Sequence, residues 1–216
     1  MADWYLVEPP GLVPVPASVA VEVQDRRVIL AEPPGAFRYD MRAVSQPYRD
    51  PPAGDYVDVV SEHDWYRSRL RGEPVPTSRY PLDHVWVEHR QDPPVGEADA
   101  DPTGSDGAAL VRPARGPAGP AAGDESTVFD RMVQPDRPPL RRPRRAHDVP
   151  DLTGRRIIVM QPAGPVPYWR AVSEPYLDAN DDVSVTICSE HDWYRWAITR
   201  EPPRAEPCPI YLVWVE

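Results

Sequence analysis

The stretch Ser61-Glu62-His63-Asp64-Trp65-Tyr66-Arg67 returns unbroken as Ser189-Glu190-His191-Asp192-Trp193-Tyr194-Arg195. Whether it is strand or helix decides what the chain repeats. Read as a helix, Ser61 with Asp64 and Ser189 with Asp192 are N-terminal capping boxes, and the segments end before Pro74 and Pro202. Read as a strand, Tyr194, Trp196 and Ile198 alternate with Arg195, Ala197 and Thr199, and Tyr66 shares a face with Leu70. The Trp, Tyr, Ile and Thr content favours the strand, and strand is the expectation.

Outward from this stretch the duplication continues. Arg42 to Glu88 lies over Arg170 to Glu216 without a gap, with identity at 22 of 47 positions; seven of these belong to the quoted stretch. Two further islands are Arg42-Ala43-Val44-Ser45-x-Pro47-Tyr48 against Arg170 to Tyr176, and Val85-Trp86-Val87-Glu88 against Val213 to Glu216. Upstream, Arg26-Arg27-Val28-Ile29 matches Arg155-Arg156-Ile157-Ile158 after a one-residue shift. The strict alternation of Val183, Val185 and Ile187 with Ser184, Thr186 and Cys188 marks a half-buried strand just before the second copy of the stretch. With Pro, Gly and Asp in the gaps, each copy reads as five short strands. The expectation is a mainly β chain: a tandem duplication of a small five-stranded antiparallel module at 26–90 and 154–216.

The Trp-Tyr-Arg opening of the fourth strand resembles Tudor and other SH3-like barrels, over about 15 residues per copy. The resemblance implies an SH3-like barrel and an interaction role. An aromatic cage is not recognisable, so binding of methylated residues is not implied.

Residues 1–25 are expected to form a strand extension packing on the first module. Leu6-Val7-Glu8-Pro9-Pro10-Gly11 echoes Leu30-Ala31-Glu32-Pro33-Pro34-Gly35. Residues 91–153 contain 11 Pro, no Trp or Tyr and a single Phe, and are expected to be a disordered, Pro- and Arg-rich linker. Within them Val128, Phe129, Met132 and Val133 form an apolar patch able to dock on a surface, and Arg137, Arg141, Arg142, Arg144 and Arg145 form a basic cluster. A module near 60 residues buries only about 60% of its unfolded surface, so packing of the two modules on each other is expected.

Charge and composition exclude several classes. All 24 basic residues are Arg, and the net charge is −10, which argues against nucleic acid as a partner. No apolar run approaches a bilayer span and the first residues lack a signal-peptide shape, so no membrane role and a cytoplasmic location are expected. Cys188 and Cys208 have no metal-motif spacing, and no cofactor is expected.

Two sets of residues carry the candidate chemistry. An Arg beside Trp and Tyr is the composition of a binding hot spot, which selects Trp65, Tyr66, Arg67 and Trp86, with Trp193, Tyr194, Arg195 and Trp214, for a protein or peptide partner. The valines beside Trp86 and Trp214 are expected to face inward and the two Trp outward. The alternative site is built from His63, Asp64, His191 and Asp192 with Glu62 and Glu190, shared between the copies as a metal or catalytic centre. A polar turn satisfied by its own backbone is the simpler reading of Glu-His-Asp. The expected function is a non-enzymatic interaction or adaptor protein. A metal-binding protein or enzyme, and a structural component with pseudo-dimeric packing of the repeats, are the alternatives.

Overall fold

Strand runs with inward-facing valines build two similar antiparallel sheets, seen in a computed structural model that describes residues 4–32, 35–91 and 137–216. The first sheet contains β1 (Leu12–Pro16), β2 (Arg27–Glu32), β3 (Ala36–Ala43), β4 (Tyr48–Asp50), β5 (Gly54–Ser61), β6 (Ser78–Pro81) and β7 (Val85–Arg90). Its order is β1-β7-β2-β3-β5-β4, with β6 on β5, and helix α1 (Glu62–Arg71) lies between β5 and β6. The second sheet repeats this plan with β8 (Arg144–Arg145), β9 (Arg156–Gln161), β10 (Gly164–Ala171), β11 (Tyr176–Leu177), β12 (Val183–Ser189), α2 (Glu190–Thr199), β13 (Ala205–Pro209) and β14 (Val213–Val215). Both sheets belong to one compact unit.

Alternation builds each core. Val28, Leu30, Met41, Ala43, Val57, Val59, Val85 and Val87 close the first. Ile157, Val159, Ala171, Val185, Ile187, Val213 and Val215 are their counterparts in the second. A 3-10 turn, Leu82–His84 or Ile210–Leu212, carries the chain from β6 to β7 and from β13 to β14. The last strand of each copy then returns to pair with β2 or β9.

The strand expectation for the repeated stretch is overturned: its residues open α1 and α2. Each Ser Oγ accepts from the backbone N–H of the Asp three residues on, at 3.0 Å in both copies. Each helix thus has a satisfied first turn. Glu62 and Tyr66, and Glu190 and Tyr194, are the buried residues of their helices. A spacing of four puts them on one helical face, whereas the period-two pattern placed Tyr194 with Trp196 and Ile198. Intrinsic β preference of the aromatic residues yields to the cap and to this buried pair. The Trp-Tyr-Arg residues that carried the SH3-like resemblance are therefore helical.

Two boundaries move as well. The counterpart of 12–25 is 141–154: Ala17 and Ala146 are buried, as are Val23 and Leu152. Within the expected linker, the stretch from Arg144 to Leu152 packs on the second module, because β8 pairs with β14 and Leu152 sits in the core, while Arg137 and Arg141 bond to Pro14 and Leu12 of the first. The rest of the expected linker, 92–136 with its apolar patch, lies outside the described residues. In the N-terminal stretch, β1 pairs with β7 of the first sheet. Trp4 and Tyr5, however, pack against Ile158, Met160 and Trp214 of the second, so the extension spans both modules. Leu6, which the echo sets against Leu30 of β2, closes a 3-10 turn, Trp4–Leu6, and is not in a strand.

Candidate functional site: a buried arginine–glutamate cluster between the modules

The helical faces of α1 and α2 meet each other. The Tyr66 and Tyr194 rings stack with centroids 4.4 Å apart and planes inclined at 15°, within the range of favourable aromatic contacts. Beside them, Glu62 is fully buried and Glu190 is 2% exposed. Carboxylates so placed are tolerated only when paired and hydrogen-bonded.

The pairing crosses the boundary between modules. Arg27 donates from Nε to Glu62 at 2.6 Å, and its Nη2 pairs with Glu190 of the other module. Arg156 donates from Nη2 to Glu62 at 2.7 Å and lies 3.7 Å from Glu190 through Nε. Arg42 lies 3.3 Å from Glu62, and Arg170 3.2 Å from Glu190. The Tyr194 hydroxyl donates to Glu62 at 3.0 Å and accepts from Arg170 at 2.9 Å. Two carboxylates are thereby held among four guanidiniums contributed equally by the two modules.

A strand irregularity completes the cluster on each side. The β2–β3 and β9–β10 registers shift after Val28 and at Val166/Trp169, and Asp40 and Tyr168 there adopt φ of 58° and 72°. Bulges re-aim side chains. Here Asp40 pairs with Arg156, and the Tyr168 ring lies 5.2 Å from the Arg27 guanidinium carbon. Each bulge thus reaches an arginine of the other module.

The electrostatics follow from burial against these charges. Burial disfavours the Glu62 carboxylate, but Arg156, Arg27 and Arg42 outweigh it and hold its pKa down to about 2. Glu190 is pushed upward by burial and by the neighbouring Glu62 charge, only partly opposed by Arg27, Arg170 and Arg156. Burial with Glu62 and Glu190 also raises the Tyr194 phenol. Glu62 is therefore held in its ionised form at neutral pH.

The same arrangement accounts for the other islands of identity. In Val-Trp-Val-Glu the valines enter the cores, and Glu88 accepts from Arg141 at 2.6 Å and from Arg156 at 3.3 Å. Glu216 pairs with Arg90. In Arg-Ala-Val-Ser the alanines are buried, and Ser45 and Ser173 each accept a strand N–H, from Asp58 and Thr186, at 3.0 Å.

The expected binding residues are dispersed. Tyr66 and Tyr194 are in the interface. Arg67 and Arg195 pair with Asp64 and Asp192 at 3.0 Å, one helical turn away. Trp65 lies under Arg42 and Arg69, 4.3 and 4.9 Å from their guanidinium carbons, and donates to Asp25 at 3.0 Å. Trp193 is edge-on to Trp196. Trp86 is half-buried. Trp214, expected outward, does leave the valine face but is 6% exposed because Trp4 and Tyr5 cover it.

The Glu-His-Asp triplet splits three ways: Glu into the interface, Asp into the helix cap, and His63 and His191 outward with side chains 49% and 58% exposed. Among the described residues no group of three or more His, Cys, Asp or Glu is placed to hold a metal ion. None of their helices is long and apolar enough to cross a membrane.

A separate cleft of about 290 Å³ opens on the second module, lined by Trp169, Ser189, Asp192, Arg204, Ala205 and Glu206. Ser189 and Asp192 belong to the repeated stretch; Trp169, Arg204, Ala205 and Glu206 replace Met41, Pro76, Thr77 and Ser78 of the first copy. Comparison with known protein families, curated proteins and solved structures finds no match for this chain.

Proposed function

We propose that the chain is a non-enzymatic interaction protein whose two modules act as one pseudo-dimeric unit toward a protein or peptide partner. The observation that carries this reading is the use of the repeated charged residues. Arg27, Arg156 and Arg170 each reach a glutamate of the other module while Arg42 holds Glu62 within its own, which leaves the identity between copies explained by assembly. Partner binding then falls to surface where the copies differ. The cleft at Trp169 suits a peptide side chain: an aromatic wall beside Asp192, Arg204 and Glu206 offers both apolar contact and charge selection. We further read each module as an SH3-like barrel with a helix inserted between its third and fourth main strands. Supporting this are the succession β2-β3-β5-β6, the 3-10 turn, and the return of β7 to β2.

Peptide-display selection against the full chain tests the proposal. Enriched peptides should bind wild type and lose at least tenfold in affinity with Trp169→Ala or Glu206→Arg. Failure to enrich any peptide, or binding indifferent to both substitutions, contradicts it. The metal-centre alternative has its own readout. Elemental analysis of purified protein is expected to show no stoichiometric ion, and one ion per chain lost with both His63→Ala and His191→Ala would replace the present reading.

A further inference from the structure

The strand registers set Met41 opposite Val28 and Arg38 opposite Leu30 in the first sheet, and Trp169 opposite Ile157 and Val166 opposite Val159 in the second. Asp40 and Tyr168 therefore hold equivalent places in their bulges, and both adopt the left-handed conformation, at φ of 58° and 72°. A short polar residue such as Asp tolerates that region, whereas a bulky aromatic residue there is strained. Strain of this kind clusters at ligand and switch sites.

The two positions meet equivalent arginines in different ways. Asp40 carries its carboxylate to Arg156 of the second module. Tyr168 lays its ring on Arg27 of the first, with the guanidinium carbon 5.2 Å from the ring centroid. Tyr168 is 59% exposed and the Arg27 side chain 9%, so the ring is the solvent side of this contact. On its inner side the guanidinium is fixed by Glu62 and Glu190. A guanidinium held in place and covered by one strained side chain is preorganised to receive a carboxylate.

We propose that Arg27, uncovered by movement of the Tyr168 side chain, is a docking point for an acidic side chain of a protein or peptide partner, which takes there the place that Asp40 takes on Arg156. Arg27 and Arg156 correspond in the duplication and each lies against both buried glutamates, so the internal pair shows which chemistry suits the position. Aspartate at 40 fills its own site; tyrosine at 168 leaves the equivalent site to another molecule. The contact rests on the interaction reading given above but not on the cleft: cleft binding is read through Trp169 and Glu206, and this contact through Tyr168.

The test titrates the full-length chain at low salt with hexaglutamate, and with hexaglutamine as the uncharged control, in wild type, Tyr168→Gly and Tyr168→Asp. Glycine accepts the left-handed conformation and removes the ring, and aspartate reproduces the Asp40 arrangement, so thermal unfolding of both variants should occur no lower than in wild type. Hexaglutamate should bind Tyr168→Gly at least threefold more tightly than wild type, and Tyr168→Asp at least tenfold more weakly than Tyr168→Gly. Equal affinity for the three proteins overturns the proposal and assigns the peptide to exposed arginines such as Arg142 and Arg144. Equal binding of hexaglutamine, or no binding of hexaglutamate to Tyr168→Gly, overturns it as well. The unaltered chain gives an independent reading: hexaglutamate should shift the Arg27 Nε–H resonance, and a resonance unmoved at saturation contradicts docking there.

Discussion

Glu62 is legible in the sequence as part of a chemical-looking triplet, but its environment is not, because all of its guanidinium partners are distant in sequence. A usable signal was nonetheless present: Arg27 and Arg156 head the apolar runs Val-Ile-Leu-Ala and Ile-Ile-Val-Met, and Glu88 and Glu216 follow Val-Trp-Val. Charges identical in both copies and embedded in core strands point to buried pairing. Glu62→Gln should therefore cost about 3–5 kcal/mol in denaturant unfolding, since it removes one of the two buried carboxylates that balance Arg27, Arg42, Arg156 and Arg170. The pH dependence has a definite sign. The folded pKa of Glu62 lies at about 2 against an ordinary 4.5, so its contribution is complete above the ordinary value and lost as pH falls toward 2. At 1.36 kcal/mol per unit this is roughly 3 kcal/mol. Glu190 works the other way: a raised folded pKa binds the proton more tightly in the folded state and offsets part of that loss. Stability measured from pH 5 to pH 2 should fall less steeply in Glu62→Gln than in wild type, and parallel profiles would contradict the assignment.

At the scale of elements, the sheets were readable and the helices were not. Val183, Val185 and Ile187 alternate cleanly because one face meets a core, and β12 forms where the pattern places it. In α1 and α2 the four-residue spacing of Glu and Tyr is the true signal, but a single buried pair in ten residues is weaker than the aromatic β preference. The capping Ser decides the matter: Ser61→Ala or Ser189→Ala should each cost about 1 kcal/mol in thermal or chemical unfolding. The helix ends differ between copies in an informative way. Gly72 takes the left-handed conformation at φ 67°, and Arg200 takes it at φ 66°. A side chain there is strained. Arg200→Gly should stabilise the protein by about 0.5–1 kcal/mol, while Gly72→Ala should destabilise it by a similar amount; equal effects of one sign would contradict the strain.

For the whole molecule, duplication was plain in the sequence, while the mutual burial of the two halves came only with the fold. Small modules leave much apolar surface exposed, and here each lends the other an arginine and a bulge residue, while Trp4 and Tyr5 of the N-terminal segment cover the second. A protease site engineered into 92–136 should yield fragments that stay together on size exclusion, because the contacts described do not depend on the connecting chain. Separation on cleavage would show that the link holds them. The central claim is that the arginine–glutamate cluster makes two sheets into one cooperative unit. Native-state hydrogen exchange of wild type and Glu62→Gln measures this directly. Core amides of Val28–Leu30 in the first sheet and Ile157–Val159 in the second should open with one common free energy, and both sets should fall together in the variant. A loss confined to the first sheet, with the second unchanged, would contradict the account.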